Sequence, residues 1–243
     1  MTFRRATVTL SALVLLLAGC SASKSVTTTP LHGRALGASS ASSSSSSSSS
    51  GRCAYTPPAA DANAGAATKD VGTPPAAARA AKATMRITTN LGPIEIALDG
   101  VKAPCATGSF AFLAGKHFFD NSKCHRLTTS GIWVLQCGDP SGTGYGGPSY
   151  RYDTENTGAP YSRGTVAVAN AGTPSTSGSQ FFFNYKDNPQ ISPDYTMLGT
   201  VTTGMDVVDK VAAGGITADD PNGAGGGPPK TEIVLQSVTV SYS

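Results

Sequence analysis

The sequence is poor in charged and aromatic residues. Of its 243 residues, 14% are charged and 7% are aromatic, with one tryptophan and three histidines. Residues 1–84 carry 8 Lys and Arg against 2 Asp and Glu, whereas residues 85–243 carry 10 against 13, so a leader of charge +6 precedes a segment of charge −3. Binding to nucleic acid needs basic residues clustered on a folded face, and the second segment has no basic run. We therefore expect no nucleic-acid partner.

A hydrophobic run long enough to span a membrane is also missing. The apolar stretch over residues 8–18 is shorter than the ~20 residues that a transmembrane helix needs, and Arg4 and Arg5 precede it, as in an export signal. The sequence Leu-Ala-Gly-Cys at residues 17–20 resembles the lipobox of bacterial lipoproteins, whose cysteine is lipidated. We expect a lipoprotein signal peptide over residues 1–19 and a membrane anchor on Cys20. The alternative is an ordinary secretory signal with an incidental cysteine, and both place the product outside the cytoplasm.

Residues 20–84 contain almost nothing that could form a hydrophobic core. Ser, Ala, Thr, Gly and Pro dominate this segment, and residues 42–50 are nine consecutive serines. Such a segment cannot bury enough apolar surface to offset the entropy lost on ordering. The composition therefore predicts a disordered tether over residues 20–84 and a folded domain over residues 85–243.

Four cysteines remain besides Cys20, and they show none of the spacings typical of a metal site. An even number in an exported protein predicts two disulfides, for which three connectivities are possible. No two cysteines are spaced C-x-x-C, and the histidines are not paired at ligand spacing. We therefore expect neither a metal nor a cofactor. The cysteines are Cys53, Cys105, Cys124 and Cys137.

One common catalytic motif is absent, and one nucleotide-binding motif is present only out of context. The sequence has no G-x-S-x-G nucleophile motif, which argues against a serine hydrolase. Residues 142–147 match G-x-G-x-x-G, but Pro148 follows where a dinucleotide-binding fold needs a helix. We therefore expect no nucleotide site.

The folded segment alternates short β patterns with two helical ones. Polar and apolar residues alternate over 85–90 and 94–98, which predicts a hairpin. The helical patterns cover residues 105–114 and 204–212. We expect a mainly β fold, an antiparallel barrel closed by eight strands and capped by two α-helices. The remaining strand patterns cover residues 124–127, 132–136, 164–169, 180–183, 196–201 and 233–240.

Five sequence strings in the folded segment resemble the cyclophilins, the β-barrel peptidyl-prolyl cis-trans isomerases. They occur in the same order as in the family, and their sequences are most similar to those of bacterial extracytoplasmic members. The resemblance implies an isomerase that rotates X-Pro peptide bonds in exported or unfolded polypeptides and assists their folding. Nothing in the sequence indicates an obligate dimer, so we expect a monomer, anchored to the membrane through Cys20. The strings are Cys-His-Arg-Leu from Cys124, Val-Leu-Gln-Cys-Gly-Asp from Val134, Arg-Gly-Thr-Val-Ala-Val-Ala-Asn-Ala-Gly from Arg163, Gly-Ser-Gln-Phe-Phe from Gly178 and Tyr-Thr-Met-Leu-Gly-Thr-Val from Tyr195.

The resemblance also implies which residues act. Arg126 matches the family's catalytic arginine, Gln136 the glutamine that orients it and binds substrate backbone, and Asn170 the asparagine whose main chain binds the residue before proline. A guanidinium suits the first role because it keeps its charge and carries five N–H donors. The expected substrate-binding residues are Trp133, Val134, Ala169, Ala171, Gln180, Phe182, Ile191, Tyr195 and Leu198.

The resemblance bears on the disulfides too, because the fold makes the strands of Cys124 and Cys137 neighbours. Those two cysteines are expected to pair, which leaves Cys53 for Cys105. Several departures from the family keep a second function open: Trp133 replaces the usual phenylalanine and Val134 the usual methionine, and the turn at residues 128–131 and the loop at residues 172–178 are each one residue longer. A non-catalytic module that binds proline-containing segments is the alternative to an enzyme.

Overall fold

The computed structural model describes residues 51–58, 68–218 and 225–243. In this part of the chain, nine strands and two helices follow the order of the sequence patterns. They are β1 (Ala83–Thr89), β2 (Gly92–Leu98), α1 (Pro104–Gly115), β3 (Ser122–Lys123), β4 (Arg126–Leu127), β5 (Val134–Cys137), β6 (Thr165–Val168), β7 (Phe181–Asn184), β8 (Met197–Thr203), α2 (Met205–Gly214) and β9 (Val234–Tyr242).

The β1–β2 hairpin confirms the alternating pattern. Every second residue of β1 is buried, because successive side chains of a strand point to opposite faces of the sheet. The two strands pair along their full length, from Ala83 opposite Leu98 to Thr89 opposite Gly92. The hairpin therefore presents one apolar face to the core.

The strands form one antiparallel sheet in the order β3-β9-β1-β2-β8-β6-β7-β5-β4. β3 and β4 are the two edges, and they do not pair with each other although they are neighbours in the chain. The expected closed eight-stranded barrel is therefore wrong. The sheet is a curled half-barrel of nine strands that stays open between these edges.

The opening has a local cause, which is a change of partner between β3 and β4. Cys124 donates its backbone N–H to the residue before β9 at 3.2 Å, whereas His125 donates to Gln136 of β5 at 3.1 Å. The single strand that the sequence predicted is thus divided between the two edges. Leu127 and Gly227 exchange two backbone hydrogen bonds of 2.8 and 2.9 Å, so a loop and not β3 lies beside β4.

The helices cover the sheet and confirm the helical patterns. Pro104 starts α1, where its missing N–H costs no hydrogen bond. The Glu155 carboxylate accepts the N–H groups of Cys105 and Ala106 at 3.0 and 2.8 Å and so ties a distant loop to the start of this helix. Among the described residues, no helix is long and apolar enough to cross a membrane. The residues of α2 that are buried are Val207, Val208 and Val211.

Residues 51–58 and 68–82, which we call the N-terminal strap, pack against the domain. Thr56 and Arg151 exchange backbone hydrogen bonds of 2.9 and 2.7 Å, and the Tyr55 ring lies edge-on to the Tyr150 ring at 5.3 Å. The prediction of a disordered tether is wrong for these residues, because a few contacts outweigh their polar composition. The signal peptide, Cys20 and the rest of the tether lie outside the described residues.

Two disulfides join the described cysteines, and both expected pairings are confirmed. Cys53 and Cys105 link the strap to α1, with Cα atoms 5.4 Å apart. Cys124 and Cys137 link the chain just before β4 to the end of β5, with Cα atoms 3.9 Å apart. One bridge thus fixes the strap, and the other fixes the strand pair that carries Arg126.

Candidate active site

A cleft of about 620 Å³ opens where β4, β5 and β7 meet two long loops. Its apolar part is the exposed side of a small hydrophobic cluster, separate from the main core, in which Val134 and Phe182 are almost fully buried. Phe182 meets the Tyr195 ring edge-on at 5.4 Å. The cleft is lined by His125, Arg126, Ile132, Val134, Gln136, Gly142, Thr143, Gly144, Tyr145, Ala169, Asn170, Phe182, Ile191, Ser192, Tyr195, Gly227 and Pro228.

Arg126 lies at the edge of this apolar surface. Strand pairing puts Arg126 directly opposite Gln136, so both side chains leave the same face of the sheet. Arg126 Nη1 donates to Gln136 Oε1 at 3.1 Å, and Arg126 Nε donates to the carbonyl oxygen of Gly225 at 2.8 Å. Two bonds from different elements therefore fix the plane of the guanidinium.

The Gln136 amide is itself held by a second glutamine. Gln136 Nε2 donates to Gln180 Oε1 at 2.8 Å, while Gln180 Nε2 donates to the carbonyl oxygens of Gly144 and Gly146, both at 2.9 Å. Two carbonyl acceptors orient the Gln180 amide, which then orients Gln136. A directional chain of hydrogen bonds thus runs from the loop at residues 141–147 to Arg126.

Asp139 holds that loop from within, where its side chain is buried. Its carboxylate accepts backbone N–H groups from Ser141, Gly144 and Gly146 at 2.7, 2.7 and 3.1 Å. Burial raises the pKa of the Asp139 carboxyl, but the bonds from Ser141, Gly146 and Gly144 outweigh it and leave that pKa below its usual value. The loop is thus organised around a buried negative charge.

His125 occupies the cleft between Arg126 and the loop. Neither ring nitrogen has a hydrogen-bond partner among the residues that the structure describes. Burial lowers the pKa of the imidazole, and the nearby Asp139 charge opposes this only in part. His125 is therefore neutral at neutral pH, and it adds no second positive charge beside Arg126.

Asn170 holds the loop on the opposite side of the cleft. Its Nδ2 donates to the Asp194 carbonyl oxygen at 3.0 Å, and its Oδ1 accepts the Gly172 N–H at 2.9 Å. Because both polar atoms of this side chain bond to backbone groups of the same chain, it fixes the backbone of residues 169–171 beside the cleft.

Most of the residues predicted from the sequence meet in this site. Gln180 supports the cleft through Gln136, and Ala171 lies in a neighbouring pocket. The predicted residues that line the cleft are Arg126, Val134, Gln136, Ala169, Asn170, Phe182, Ile191 and Tyr195.

Two predicted substrate-binding residues lie elsewhere. Leu198 is fully buried in the main core. Trp133 points away from the cleft and lies edge-on to Tyr185 at 6.2 Å, with the Lys186 ammonium 4.0 Å from the centre of its ring. The alternation of a strand explains this, because Val134 faces the cleft and its neighbour must face the other way.

Among the site residues that the sequence did not predict are Ile132, Tyr161 and Tyr145. Ile132 takes the place expected for Trp133, and strand alternation from Val134 could have found it. Tyr161 packs its ring 6.1 Å from Phe182, while its hydroxyl bonds the backbone of Tyr195. The third is Tyr145, which is half exposed at the rim. No sequence signal marked either tyrosine.

Comparison with known proteins agrees with this geometry. A probable peptidyl-prolyl cis-trans isomerase B of Mycobacterium leprae is 42% identical over 205 residues, which cover 76% of this chain and 65% of that protein. A peptidyl-prolyl cis-trans isomerase of Helicobacter pylori is 37% identical over 143 residues, which cover 57% of this chain and 85% of that protein. The chain thus spans just under two thirds of the length of the mycobacterial relative.

A solved structure shares the fold. The crystal structure of a cyclophilin type peptidyl-prolyl cis-trans isomerase of Cryptosporidium parvum, determined in the presence of the dipeptide Ala-Pro, is 30% identical with a TM-score of 0.57. The alignment covers 66% of this chain and 99% of that one. Residues 84–240 match the family model of the cyclophilin type peptidyl-prolyl cis-trans isomerase/CLD. The chain therefore belongs to the cyclophilin-type peptidyl-prolyl cis-trans isomerase family.

Proposed function

We propose that the domain catalyses cis-trans isomerisation of X-Pro peptide bonds. The observation that carries this proposal is the Arg126 guanidinium, which Gln136 and Gly225 hold beside the apolar surface of Phe182 and Val134. The reaction changes no covalent bond, so it needs an apolar seat for the proline ring and a donor beside it. The cleft provides both.

The barrier to be lowered comes from amide resonance. The nitrogen lone pair is delocalised into the C–N bond, and rotation costs ~18–20 kcal/mol. As the bond twists, the prolyl nitrogen becomes pyramidal and its lone pair can accept a hydrogen bond. A donor aimed at that nitrogen binds the twisted state more strongly than either planar state, and only such a difference accelerates rotation.

Arg126 is the donor in this proposal. Its guanidinium stays charged at every physiological pH and presents its N–H groups in a rigid plane. The bond to Gln136 sets that plane before substrate arrives, which limits the reorganisation needed during rotation. Neutral His125 leaves this positive charge without a like-charged neighbour inside the cleft.

The remaining residues seat the substrate. Ile132, Val134, Phe182 and Ile191 offer apolar contacts to the proline ring. The backbone around Asn170 holds the residue that precedes proline, so that one side of the bond is fixed while the other turns. The relative crystallised in the presence of Ala-Pro supports a proline-containing peptide as the substrate.

We further propose that the protein acts as a monomer outside the cytoplasm, anchored by a lipid on Cys20, and assists the folding of exported proteins. Two disulfides support an oxidising compartment, where such bridges persist. Uncatalysed X-Pro isomerisation takes tens to hundreds of seconds, slow enough to limit folding after export.

Replacing Arg126 tests the proposed chemistry. In two-dimensional exchange NMR on an Ala-Pro peptide, the wild type should give cis-trans exchange peaks, and Arg126→Ala should lower the exchange rate at least tenfold. Arg163→Ala is the matched control, because Arg163 pairs with Asp209 outside the cleft. Peptide binding by the wild type without exchange would instead identify a non-catalytic binding module.

A second pair of variants separates the cleft from the core. Ile191→Ala should weaken peptide binding several-fold and cost ~1 kcal/mol of stability or less, because Ile191 is half-exposed at the cleft. Leu198→Ala should cost ~2–5 kcal/mol, because it leaves a cavity in the main core, and it should leave the peptide affinity of the folded protein unchanged. Urea unfolding measures the loss of stability, and peptide titration measures the loss of affinity. A Leu198→Ala protein that keeps its stability but loses peptide affinity would show that Leu198 belongs to the binding site.

The lipid anchor has a direct test in cells. The full chain should incorporate labelled palmitate and sediment with membranes, and Cys20→Ala should abolish the label. Cys53→Ala is the control, since that sulfur lies in a disulfide of the folded domain and should not affect lipidation. A Cys20→Ala chain that still carries the label would rule out this anchor.

A further inference from the structure

The N-terminal strap carries a charge opposite in sign to that of the chain that follows it. It contains four basic residues and one acidic residue, a balance of +3, whereas residues 83–243 carry 10 Lys and Arg against 13 Asp and Glu, a balance of −3. One strap cation, Lys69, donates to the carbonyl oxygens of His117 and Phe118, both at 3.1 Å. The other three are Arg52, Arg79 and Lys82, and all of them are exposed.

Two of these side chains leave the same side of a short β ribbon. Residues 51–53 pair antiparallel with residues 76–78 through backbone hydrogen bonds of 3.0 and 2.7 Å, and Arg52 lies opposite Ala77. Directly opposed residues, and residues two apart on one extended chain, share a side. Arg52, Ala77 and Arg79 therefore face the same way. Their exposure agrees, because the residues at 76 and 78 are half-buried instead.

Two lysines extend this positive surface at the open end of the β1–β2 hairpin. Lys82 directly precedes β1, and Lys102 follows β2. The two segments touch, because a Cβ atom at Gly100 would lie only 2.1 Å from the carbonyl oxygen of Ala81. Asp99 lies 3.5 Å from the Lys102 ammonium, and an exposed ion pair of this kind is weak.

The end of β9 joins the ribbon to the hairpin. The Arg79 guanidinium lies 4.1 Å from the centre of the Tyr242 ring, and Ser243 donates its N–H to the Lys82 carbonyl oxygen at 3.1 Å. The four cations are thus brought to one end of the sheet. We call this surface the basic face, which consists of Arg52, Arg79, Lys82, Val101 and Lys102.

Val101 gives the basic face an apolar side chain among its cations. Its side chain is 58% exposed, and among the described residues the other large apolar side chain exposed in this way is Tyr145 at the cleft. An apolar side chain flanked by Lys and Arg suits the surface of a lipid bilayer, where anionic headgroups cover a hydrocarbon layer.

The basic face also lies where the chain from the proposed lipid anchor enters the described domain. Residues 21–50 separate Cys20 from Gly51, and Arg52 follows directly. Even when fully extended at ~3.3–3.6 Å per residue, this stretch spans no more than roughly 100 Å. An anchored domain therefore stays close to the membrane, and the side that faces it is decided by the surface charges of the domain.

We propose that the basic face docks the domain onto anionic phospholipid headgroups. The proposal rests on the proposed anchor only for bringing the face to a membrane, since the contact itself needs no lipid on Cys20. The negative charge of residues 83–243 is repelled by the same surface, which favours one orientation. In the sheet, β8 and β6 separate β2 from the cleft strands β7, β5 and β4, so the docked domain leaves the cleft accessible to polypeptides.

Vesicle binding by the full chain tests the proposal. The chain carries Cys20→Ala, so that no lipid contributes. The vesicles contain phosphatidylglycerol and phosphatidylcholine in a ratio of one to two, or phosphatidylcholine alone. Arg52→Gln/Lys82→Gln removes two charges of the basic face, while Arg52→Lys/Lys82→Arg keeps both. Residues 1–50 are otherwise the same in every variant, so their own contribution cancels in the comparison.

The matched control removes two charges from the opposite end of the hairpin. Lys123→Gln/Lys210→Gln is suitable, because Lys123 pairs with Glu232, whose carbonyl oxygen accepts the Asn90 side chain beside the β1–β2 turn. Lys210 is exposed on α2, which packs against the same turn through Val207 and Gly92. Circular dichroism shows whether each variant is folded.

Arg52→Gln/Lys82→Gln should weaken binding to the phosphatidylglycerol vesicles at least tenfold, because each basic residue near an anionic surface contributes ~5-fold in affinity. Binding to phosphatidylcholine alone should change less than twofold. The charge-preserving variant and the control should bind both vesicles as the wild type does. Equal losses in the two charge-removing variants, or no loss in the basic-face variant, would overturn the proposal. A failure of the Cys20 label would refute the anchor and leave this result standing.

The apolar part of the contact has its own test. Val101→Ser should weaken binding to the phosphatidylglycerol vesicles about threefold, because it removes the side chain that reaches below the headgroups. Tyr145→Ser is the control, since it removes the other exposed apolar side chain, and it should leave vesicle binding unchanged. Equal losses in both variants would contradict docking through the basic face.

The orientation is tested by exchange NMR on an Ala-Pro peptide with vesicles present. The wild-type exchange rate should stay within twofold of its value without vesicles. Exchange that is lost on phosphatidylglycerol vesicles and kept on phosphatidylcholine would place the cleft at the membrane and overturn the orientation. A wild type without exchange in the absence of vesicles would refute the isomerase, and vesicle binding would still decide the docking.

Discussion

The buried carboxylate of Asp139 organises the loop on which the rest of the site depends. It gathers three backbone N–H groups, and two carbonyls of the same loop then hold Gln180. Gln180 orients Gln136, and Gln136 orients Arg126. Each donor in this chain has a defined acceptor, so the buried charge of Asp139 contributes, together with the Gly225 carbonyl oxygen, to placing the guanidinium.

The covalent framework supports the same placement. The bridge between Cys124 and Cys137 ties the residues around β4 to β5, so the two strands that carry Arg126 and Gln136 keep their register although β4 is only two residues long. The other bridge fixes the strap to α1. The sheet can therefore remain open between β3 and β4 without loosening the cleft.

Much of the fold and of the site could be predicted from the sequence, because strand alternation and the family strings report local constraints. Arg126, Gln136 and Phe182 lie where those strings imply. Trp133 does not lie in the cleft, because Ile132 and Val134 face the cleft and the residue between them faces the other way. The family resemblance placed Leu198 in the binding site, and only the packing of β8 shows that it belongs to the main core.

The strap and the open edge could not be predicted for a different reason. The strap is ordered by one disulfide and a few long-range contacts of Tyr55 and Thr56. Amino-acid composition gives no indication of such contacts. The partner change between Cys124 and His125 depends on backbone bonds to two distant elements. Both features arise from tertiary contacts that leave no periodic signal.

A double-mutant cycle between Asp139 and Gln180 tests most directly whether the buried carboxylate positions the guanidinium. Exchange NMR on Ala-Pro would compare the wild type, Asp139→Asn, Gln180→Ala and the double variant, each shown to be folded. Each single change should slow exchange about tenfold, and the double variant should be no slower than the slower single variant, because residues in one network are not additive. A hundredfold loss in the double variant would mean that Asp139 and Gln180 act independently and would contradict the chain of hydrogen bonds.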